Sequence, residues 1–362
     1  MIEPRPELSK LSDYVPGKSI EEIRERYGLT KVVKLASNEN PLGASPKAVE
    51  AFHKIADSLH LYPRGDAPSM IRALAEKFGV KREQIVVGNG SDEIIDMVGK
   101  AFIRQGDNCV AITPTFSVYK FTTLSNGADF VGVGEGEAKT GLDDLAKAIN
   151  AKTRVAFICN PNNPTGLYYS ETEIRDFLKK VPQNVLVFLD EAYSEFATAP
   201  DYPKLVGALD EFPNLFINRT FSKIYGLAGL RVGYAMASAE VVRHLWKVKP
   251  PFDVNLAAQA AAEAALSDDD HIRKTLDMNN AGNAQLTEAF TKLGYKVLPT
   301  QANFLCIRIG EKCAELVKFL EQNGMIIRYL KSFGMPEWVR VTIGQPKENQ
   351  LLIDLVTKWT NA

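Results

Sequence analysis

Lys223 lies in the run from Thr220 to Tyr234, T-F-S-K-I-Y-G-L-A-G-L-R-V-G-Y, with hydroxyls beside it and Arg231 beyond it. In so apolar and small-residue a setting, burial near Arg231 would lower the lysine pKa by desolvation and like-charge repulsion. That would leave a nucleophilic amine suited to forming a Schiff base. Thr220, Ser222 and Arg231 together could hold a phosphate, the hydroxyls as donors and the guanidinium as a bidentate clamp. A phosphorylated aldehyde satisfies both halves. The competing reading is a solvated lysine in a glycine-rich loop, which describes most lysines, so the rest of the chain must decide.

Such residues need a frame. The chain has 362 residues, 45% hydrophobic and 24% charged, with a formal net charge of -1. This is the composition of an ordinary globular protein, long enough for two domains or one large domain with a smaller companion. Balanced charge without a dense basic run favours a small-molecule substrate over nucleic acid or an anionic membrane. The opening residues lack the apolar segment of a signal peptide, and no apolar run approaches membrane-spanning length, so a cytoplasmic location is expected. Cys109, Cys159, Cys306 and Cys313 show no metal-ligand spacing and read as small thiols, three of them in apolar strand-like runs. His53, His60, His244 and His271 are scattered, which leaves no spacing for zinc or a hydrolytic triad.

From about residue 45 to 250, short apolar runs alternate with amphipathic stretches, the pattern of a parallel sheet covered by helices. Strands are predicted at I85-V-V-G, C109-V-A-I-T, D129-F-V-G-V, R154-V-A-F-I-C, V185-L-V-F-L-D, L215-F-I-N and V232-G-Y-A-M. Helices are predicted over 91–102, 142–149 and 171–180, where apolar residues recur at three-to-four spacing. After Pro250-Pro251 the text turns to an alanine-rich helix over 255–266 and a long helix over about 270–293. Strand-like runs at 302–309 and 338–344 flank a helix over 313–322, which suggests a small α+β domain. The expected division is a large α/β domain over 45–264 and a small domain from 1–44 and 265–362. The G-V-G-E-G stretch at 132–136 follows a strand but opens no helix, so it reads as a turn and not a dinucleotide fingerprint.

In open parallel sheets, ligands sit beyond the carboxyl ends of the strands. The strand at 85–88 is followed by N-G-S-D-E, with Ser91 expected as the N-cap of a helix whose free N-H groups could bind a phosphate; a plain cap and turn is the alternative. The 109–113 strand leads to Phe116, which could stack on a planar ring or simply pack in the core. The 154–159 strand leads to N-P-N-N-P-T-G, a constrained loop from which Asn163 could offer its amide to a phenolic oxygen, or which could be a turn without chemistry. The 185–190 strand ends in Asp190, then Glu191, Ala192 and Tyr193. A carboxylate there is costly to bury without a positive partner, and a protonated pyridine nitrogen would be one, with Tyr193 on the ring oxygen; a capping or salt-bridged Asp190 is the alternative. These offers converge with the lysine on one ligand, pyridoxal 5'-phosphate, whose enzymes need a Schiff-base lysine and an acidic partner for the ring nitrogen.

The segments N-P-N-N-P-T-G, D-E-A-Y and S-K-x-x-G-L-A-G-L-R-x-G-Y resemble fold-type I pyridoxal-phosphate-dependent aminotransferases, a similarity that spans nearly the whole chain. Within that superfamily, Y14-V-P-G-K, L35-A-S-N-E-N-P-L-G, L61-Y-P, G324-M-I-I-R and F333-G-M-P-E-W-V-R-V-T-I-G resemble the histidinol-phosphate aminotransferases. The resemblance implies a fold-type I transferase: a large domain with a mainly parallel seven-stranded sheet plus a smaller α+β domain. It also implies a homodimer with sites at the interface. It makes Lys223 the Schiff-base lysine and base for the proton shift. It sets the cofactor phosphate against the Ser91 and Asp92 backbone, Thr220, Ser222 and Arg231, with Tyr62 reaching in from the second subunit, and Phe116 on the ring where relatives often carry Tyr. Arg340 matches the arginine at the substrate carboxylate or the hydroxymethyl end of histidinol phosphate. Tyr14 and Arg328 match positions near the substrate phosphate, and Asn38 is expected at the substrate.

The implied reaction converts L-histidinol phosphate and 2-oxoglutarate to imidazole acetol phosphate and glutamate by ping-pong transamination. An aromatic amino-acid aminotransferase differs from this by few contacts, and a phosphothreonine decarboxylase shares the cofactor apparatus. A non-catalytic regulator on the same scaffold would usually add a DNA-binding domain, and the residues before Leu35 carry no basic cluster.

Overall fold

In a computed structural model the apolar runs resolve into two sheets; the structure describes residues 2–11, 13, 17–134 and 139–361. Along the chain the strands are β1 (Val33–Leu35), β2 (Ile85–Gly88), β3 (Asn108–Ile112), β4 (Asp129–Val133), β5 (Thr153–Cys159) and β6 (Leu186–Asp190). They continue with β7 (Leu215–Thr220), β8 (Gly233–Ala237), β9 (Lys296–Val297), β10 (Phe304–Arg308), β11 (Met325–Tyr329) and β12 (Trp338–Thr342).

The larger sheet has seven strands in the order β2-β8-β7-β6-β5-β3-β4. β8 runs antiparallel to both of its neighbours, and the remaining pairs are parallel, so β2 points the same way as β3, β5, β6 and β7. Their carboxyl ends therefore open on one edge. β2 and β6 are buried throughout, which is why their sequences are nearly continuous apolar runs without a polar face. The helices over 91–102 and 171–180 form as Ser91–Phe102 and Glu171–Lys180. Ser170 caps the second with a reciprocal Glu173 interaction, satisfying N-H groups that would otherwise be orphaned. At the first, the cap is Gly90 and not Ser91, which is the first helical residue. The φ of 86° at Gly90 is accessible to glycine and not to serine, and no side chain caps the helix.

The second sheet has five strands in the order β1-β11-β12-β10-β9, with β1 parallel to β11 and the other pairs antiparallel. Neither β1 nor β11 was expected as a strand, and the closing helix Pro346–Thr360 was not expected either. Leu286 and Phe290 of the helix Asp269–Lys292, Leu316 and Leu320 of Cys313–Gln322, and Leu352 of the closing helix fill the core on this sheet. The first 44 residues divide: Val33–Leu35 joins the small sheet, whereas the turn of helix Pro6–Lys10 lies beside the large one, where Arg5 donates to the Ser125 carbonyl at 2.7 Å. Of the 132–136 stretch, Gly132 and Val133 complete β4; residues 135 and 136 lie outside the described residues.

The segment over 36–45 leaves β1 and wraps against the turn that follows β7. The Ser45 N-H donates to the Tyr225 carbonyl at 3.1 Å, and Asn40 donates its amide to the Ile224 carbonyl at 2.9 Å. Gly226 has φ 70°, and a β-carbon there would stand 2.0 Å from the Gly43 carbonyl oxygen. Backbone meets backbone at this point, so no side chain can move aside. Gly226→Ala is expected to destabilise the protein by about 2–4 kcal/mol. Chemical denaturation checks this, and a wild-type midpoint would show that the close approach is dispensable.

Candidate active site

Lys223 follows the carboxyl end of β7 by three residues and is half-buried. Its Nζ donates to the Ser37 carbonyl at 3.1 Å and stands 5.8 Å from the centre of the Tyr193 ring. Burial, followed by the positive charge of Arg340, holds the amine down to about 8. Arg231, expected to be the main repelling charge, contributes least among the named causes because Arg340 is the stronger influence.

The expected phosphate residues come together. The Thr220 hydroxyl donates to Ser222 Oγ at 3.0 Å and accepts from the Ser222 N-H at 3.1 Å. Arg231, at φ 54°, donates to Asp92 Oδ2 at 3.3 Å. A β-carbon on Gly90 would lie 2.5 Å from Arg231 Nη2, and one on Gly233 would lie 2.7 Å from the Ser91 nitrogen. Two glycines thus let a guanidinium and a strand approach a helix N-terminus that carries no side-chain cap, a cradle suited to an anion.

Asp190 ends β6 and is 3% exposed. Its carboxylate accepts from the Tyr119 hydroxyl at 2.6 Å, the Asn218 amide at 3.2 Å and the Ala192 N-H at 3.2 Å. All three donors are neutral. Burial therefore dominates and pushes the carboxyl up to about 6, against those hydrogen bonds. A buried carboxylate so placed calls for a cation. Tyr119 and Asn218 escaped the sequence reading. Tyr119 sits three residues after Phe116, in a Ser- and Thr-rich helix that reads like a strand, and Asn218 reaches Asp190 only across the β6–β7 ladder. Phe116 is half-buried and meets the Tyr119 ring edge-on at 5.6 Å.

Tyr193 is 4% exposed, and its hydroxyl accepts from the Asn38 amide at 3.0 Å. Asn38, expected at the substrate, thus has its amide on Tyr193, within the same cluster as Lys223. Asn163 accepts from Arg340 Nη1, which leaves the Asn163 amide N-H groups to donate. Arg340 also donates to the Ala36 carbonyl at 2.7 Å, and its buried Nε has no partner. Arg328 stands directly opposite Arg340 on β11, half-buried, with Ser332 Oγ as an acceptor at 3.4 Å. Like charges paired across strands repel, and neither has a carboxylate partner among the described residues, so the pair forms a second anion-seeking locus. Tyr62 does not join the cluster: it is 83% exposed and stacks on Phe252 at 4.8 Å. Tyr14 lies outside the described residues. No group of His, Cys, Asp or Glu among the described residues could hold a metal ion, and the four cysteines are buried.

The family model described as aminotransferase class I and II matches residues 30–356. A histidinol-phosphate aminotransferase of Moorella thermoacetica is 45% identical over 96% of this chain and 91% of its own length. One from Brevibacillus brevis is 42% identical over 98% of each. Among solved structures, a histidinol-phosphate aminotransferase from Sinorhizobium meliloti in complex with pyridoxal-5'-phosphate superposes with a TM-score of 0.90 at 23% identity, covering 98% of this chain and 97% of that one.

The raised carboxyl has a consequence for stability. A folded-state pKa above the unfolded one gives a contribution that is fully present below about pH 4 and lost as pH rises through about 6. Asp190→Asn, which cannot ionise, is expected to raise the melting temperature of the ligand-free protein near pH 8, by the equivalent of about 1–3 kcal/mol. The gain should vanish near about pH 4. Thermal unfolding at the two pH values checks this; an equal effect at both would deny that a buried charge is the cause.

Proposed function

This chain belongs to the class I and II aminotransferases, and we propose that it transfers the amino group of L-histidinol phosphate to 2-oxoglutarate with pyridoxal 5'-phosphate as cofactor. The observation that carries the reading is a depressed lysine between two anion-seeking loci, with a buried, neutral-partnered carboxylate alongside. The chain's residues fit the cofactor. Asp190, short of a cation, would take the ring nitrogen as a pyridinium; the backbone of Ser91 and Asp92 with the side chains of Thr220, Ser222 and Arg231 would hold the phosphate. Phe116 would cover the ring, and Asn163 and Tyr193 would donate to its phenolic oxygen. When bound, the cofactor supplies an aldehyde for the lysine and a ring that withdraws electrons from the substrate carbon.

The rest is done by protein groups. Lys223 Nζ, whose pKa of about 8 leaves roughly a tenth of molecules unprotonated near pH 7, far more than an exposed lysine would, takes the proton from the substrate carbon and returns it further along within the same half-reaction. The Ser37 carbonyl keeps the free amine within the site. Tyr119 and Asn218 hold the Asp190 carboxylate in orientation while leaving it lone pairs with which it would accept from the ring nitrogen. Arg340 and Arg328 bind the anionic ends of the substrates, and the doubling of cationic charge there suits a phosphorylated donor better than a neutral aromatic side chain. Tyr14 is assigned to the same phosphate.

The protein acts in this proposal as a cytoplasmic homodimer with shared sites. Exposed Leu59, Leu61, Tyr62 and Phe252 form an apolar surface suited to a second copy, and from it Tyr62 would reach the partner's cofactor phosphate. The buried free thiols of Cys109, Cys159 and Cys313 suit a reducing compartment, and no helix of the described residues is long and apolar enough to cross a membrane. Lys223→Ala should abolish turnover; near-normal turnover would overturn the lysine's role. Arg328→Ala should lower kcat/KM for histidinol phosphate roughly 10- to 100-fold while changing that for phenylalanine little. Steady-state kinetics with both donors checks this, and equal losses would favour an aromatic amino-acid aminotransferase.

A further inference from the structure

We propose that Asn38 is a positioning residue: together with Thr342 it fixes the hydrogen-bond direction around Tyr193 so that the phenol's own proton is turned into the site. The inference rests on the assignment of Tyr193 to the cofactor's phenolic oxygen.

Asn38 is 1% exposed and has φ 56°, a left-handed conformation that asparagine adopts more readily than other side-chain-bearing residues. Its backbone is pinned from two directions. The Asn38 N-H donates to Thr342 Oγ1 at 2.9 Å, and the Asn303 amide donates to the Asn38 carbonyl at 3.0 Å. Because the Thr342 oxygen accepts from that N-H, its single proton is free for Asn38 Oδ1, 3.1 Å away. This settles which end of the Asn38 amide faces which neighbour. Oδ1 is held by Thr342, and Nδ2 faces Tyr193 Oη at 3.0 Å. An amide nitrogen only donates, so the phenol oxygen must accept, and the phenol proton has to leave in another direction.

Tyr193 is buried, and the groups around it show where that direction leads. Phe304 meets its ring edge-on at 5.1 Å, Lys223 Nζ lies 5.8 Å from the ring centre, and Arg340, Asp190 and Cys159 complete the charged and titratable surroundings. The chain of donors therefore runs from the Thr342 hydroxyl to the Asn38 amide to the Tyr193 hydroxyl and into the space by Lys223. A donor received at the phenol oxygen also polarises the O-H bond and strengthens it as a donor. Thr342 is two residues from Arg340 on β12, so the strand that carries a substrate arginine also sets the orientation of a cofactor contact.

The test uses the holoenzyme and the pH midpoint of its visible absorption. Donation from Tyr193 favours the more negative, deprotonated form of the bound chromophore, so loss of that donation raises the midpoint. Tyr193→Phe, Asn38→Asp and Thr342→Val should each move it upward, the last two by about half a unit to one unit. Asn38→Asp offers the phenol an acceptor and draws its proton away, while Thr342→Val releases the amide. Thr342→Ser, which keeps the hydroxyl, should restore the wild-type midpoint, separating direction of hydrogen bonding from loss of packing. If Asn38→Asp and Thr342→Val keep the wild-type midpoint while Tyr193→Phe shifts it, the positioning role is overturned. If Tyr193→Phe itself shifts nothing, the assignment of Tyr193 fails first and the inference falls with it. Should Asn38→Asp not fold, the Thr342 pair alone decides.

Discussion

An exposed lysine near neutral pH is a hydrated ammonium with no lone pair to offer, and Lys223 departs from that state because of what is packed around it. Burial is the larger influence and Arg340 the next, and both depend on the segment over 36–45 closing against the turn after β7. Within a few residues that segment supplies the Ala36 carbonyl to Arg340, the Ser37 carbonyl to Lys223, the Asn38 amide to Tyr193 and the Asn40 amide to the Ile224 carbonyl. The contact of Gly226 with the Gly43 carbonyl sets how tightly it can close. Loosening it would hydrate the amine and scatter the groups that face it.

The two sheets divide the chemistry by charge. The large sheet presents a carboxylate with neutral donors at β6 and an anion cradle where the end of β7, the start of β8 and a helix N-terminus meet. The small sheet presents two arginines as cross-strand neighbours. Two of these loci are unfavourable alone: Asp190 is buried without a cation, and Arg328 and Arg340 repel one another. A ligand with a cationic ring nitrogen, a phosphate and a second anionic group would relieve both and fill the cradle between them. Destabilised sites of this kind persist because binding uses the groups that folding leaves poorly satisfied.

Much of this arrangement was legible in the sequence, for an identifiable reason. Parallel strands buried on both faces read as apolar runs, and the sheet brings the residues just beyond them to one edge, so Asp190, Asn163 and the lysine segment could be placed without coordinates. What stayed hidden depends on tertiary neighbours. Tyr119 reaches Asp190 from a helix and Asn218 from the neighbouring strand, and Arg340, far along the chain, outweighs Arg231 as the charge acting on Lys223. Ser37 acts through a carbonyl that any residue would have. Ser91 was misread as the cap because a Ser following Gly fits the cap pattern, whereas only Gly90 can hold the left-handed φ that the turn demands. β1 and β11 are short strands of the second sheet, and β1 finds its partner far along the chain, with Val33 opposite Met325.

The most direct measurement is to treat the purified protein with borohydride, digest it, and locate by mass spectrometry the lysine that carries a reduced pyridoxyl group. The account places that group on Nζ of Lys223 and on no other lysine. Labelling of a different lysine, or a protein that carries no pyridoxyl group at all after incubation with the cofactor, would contradict it.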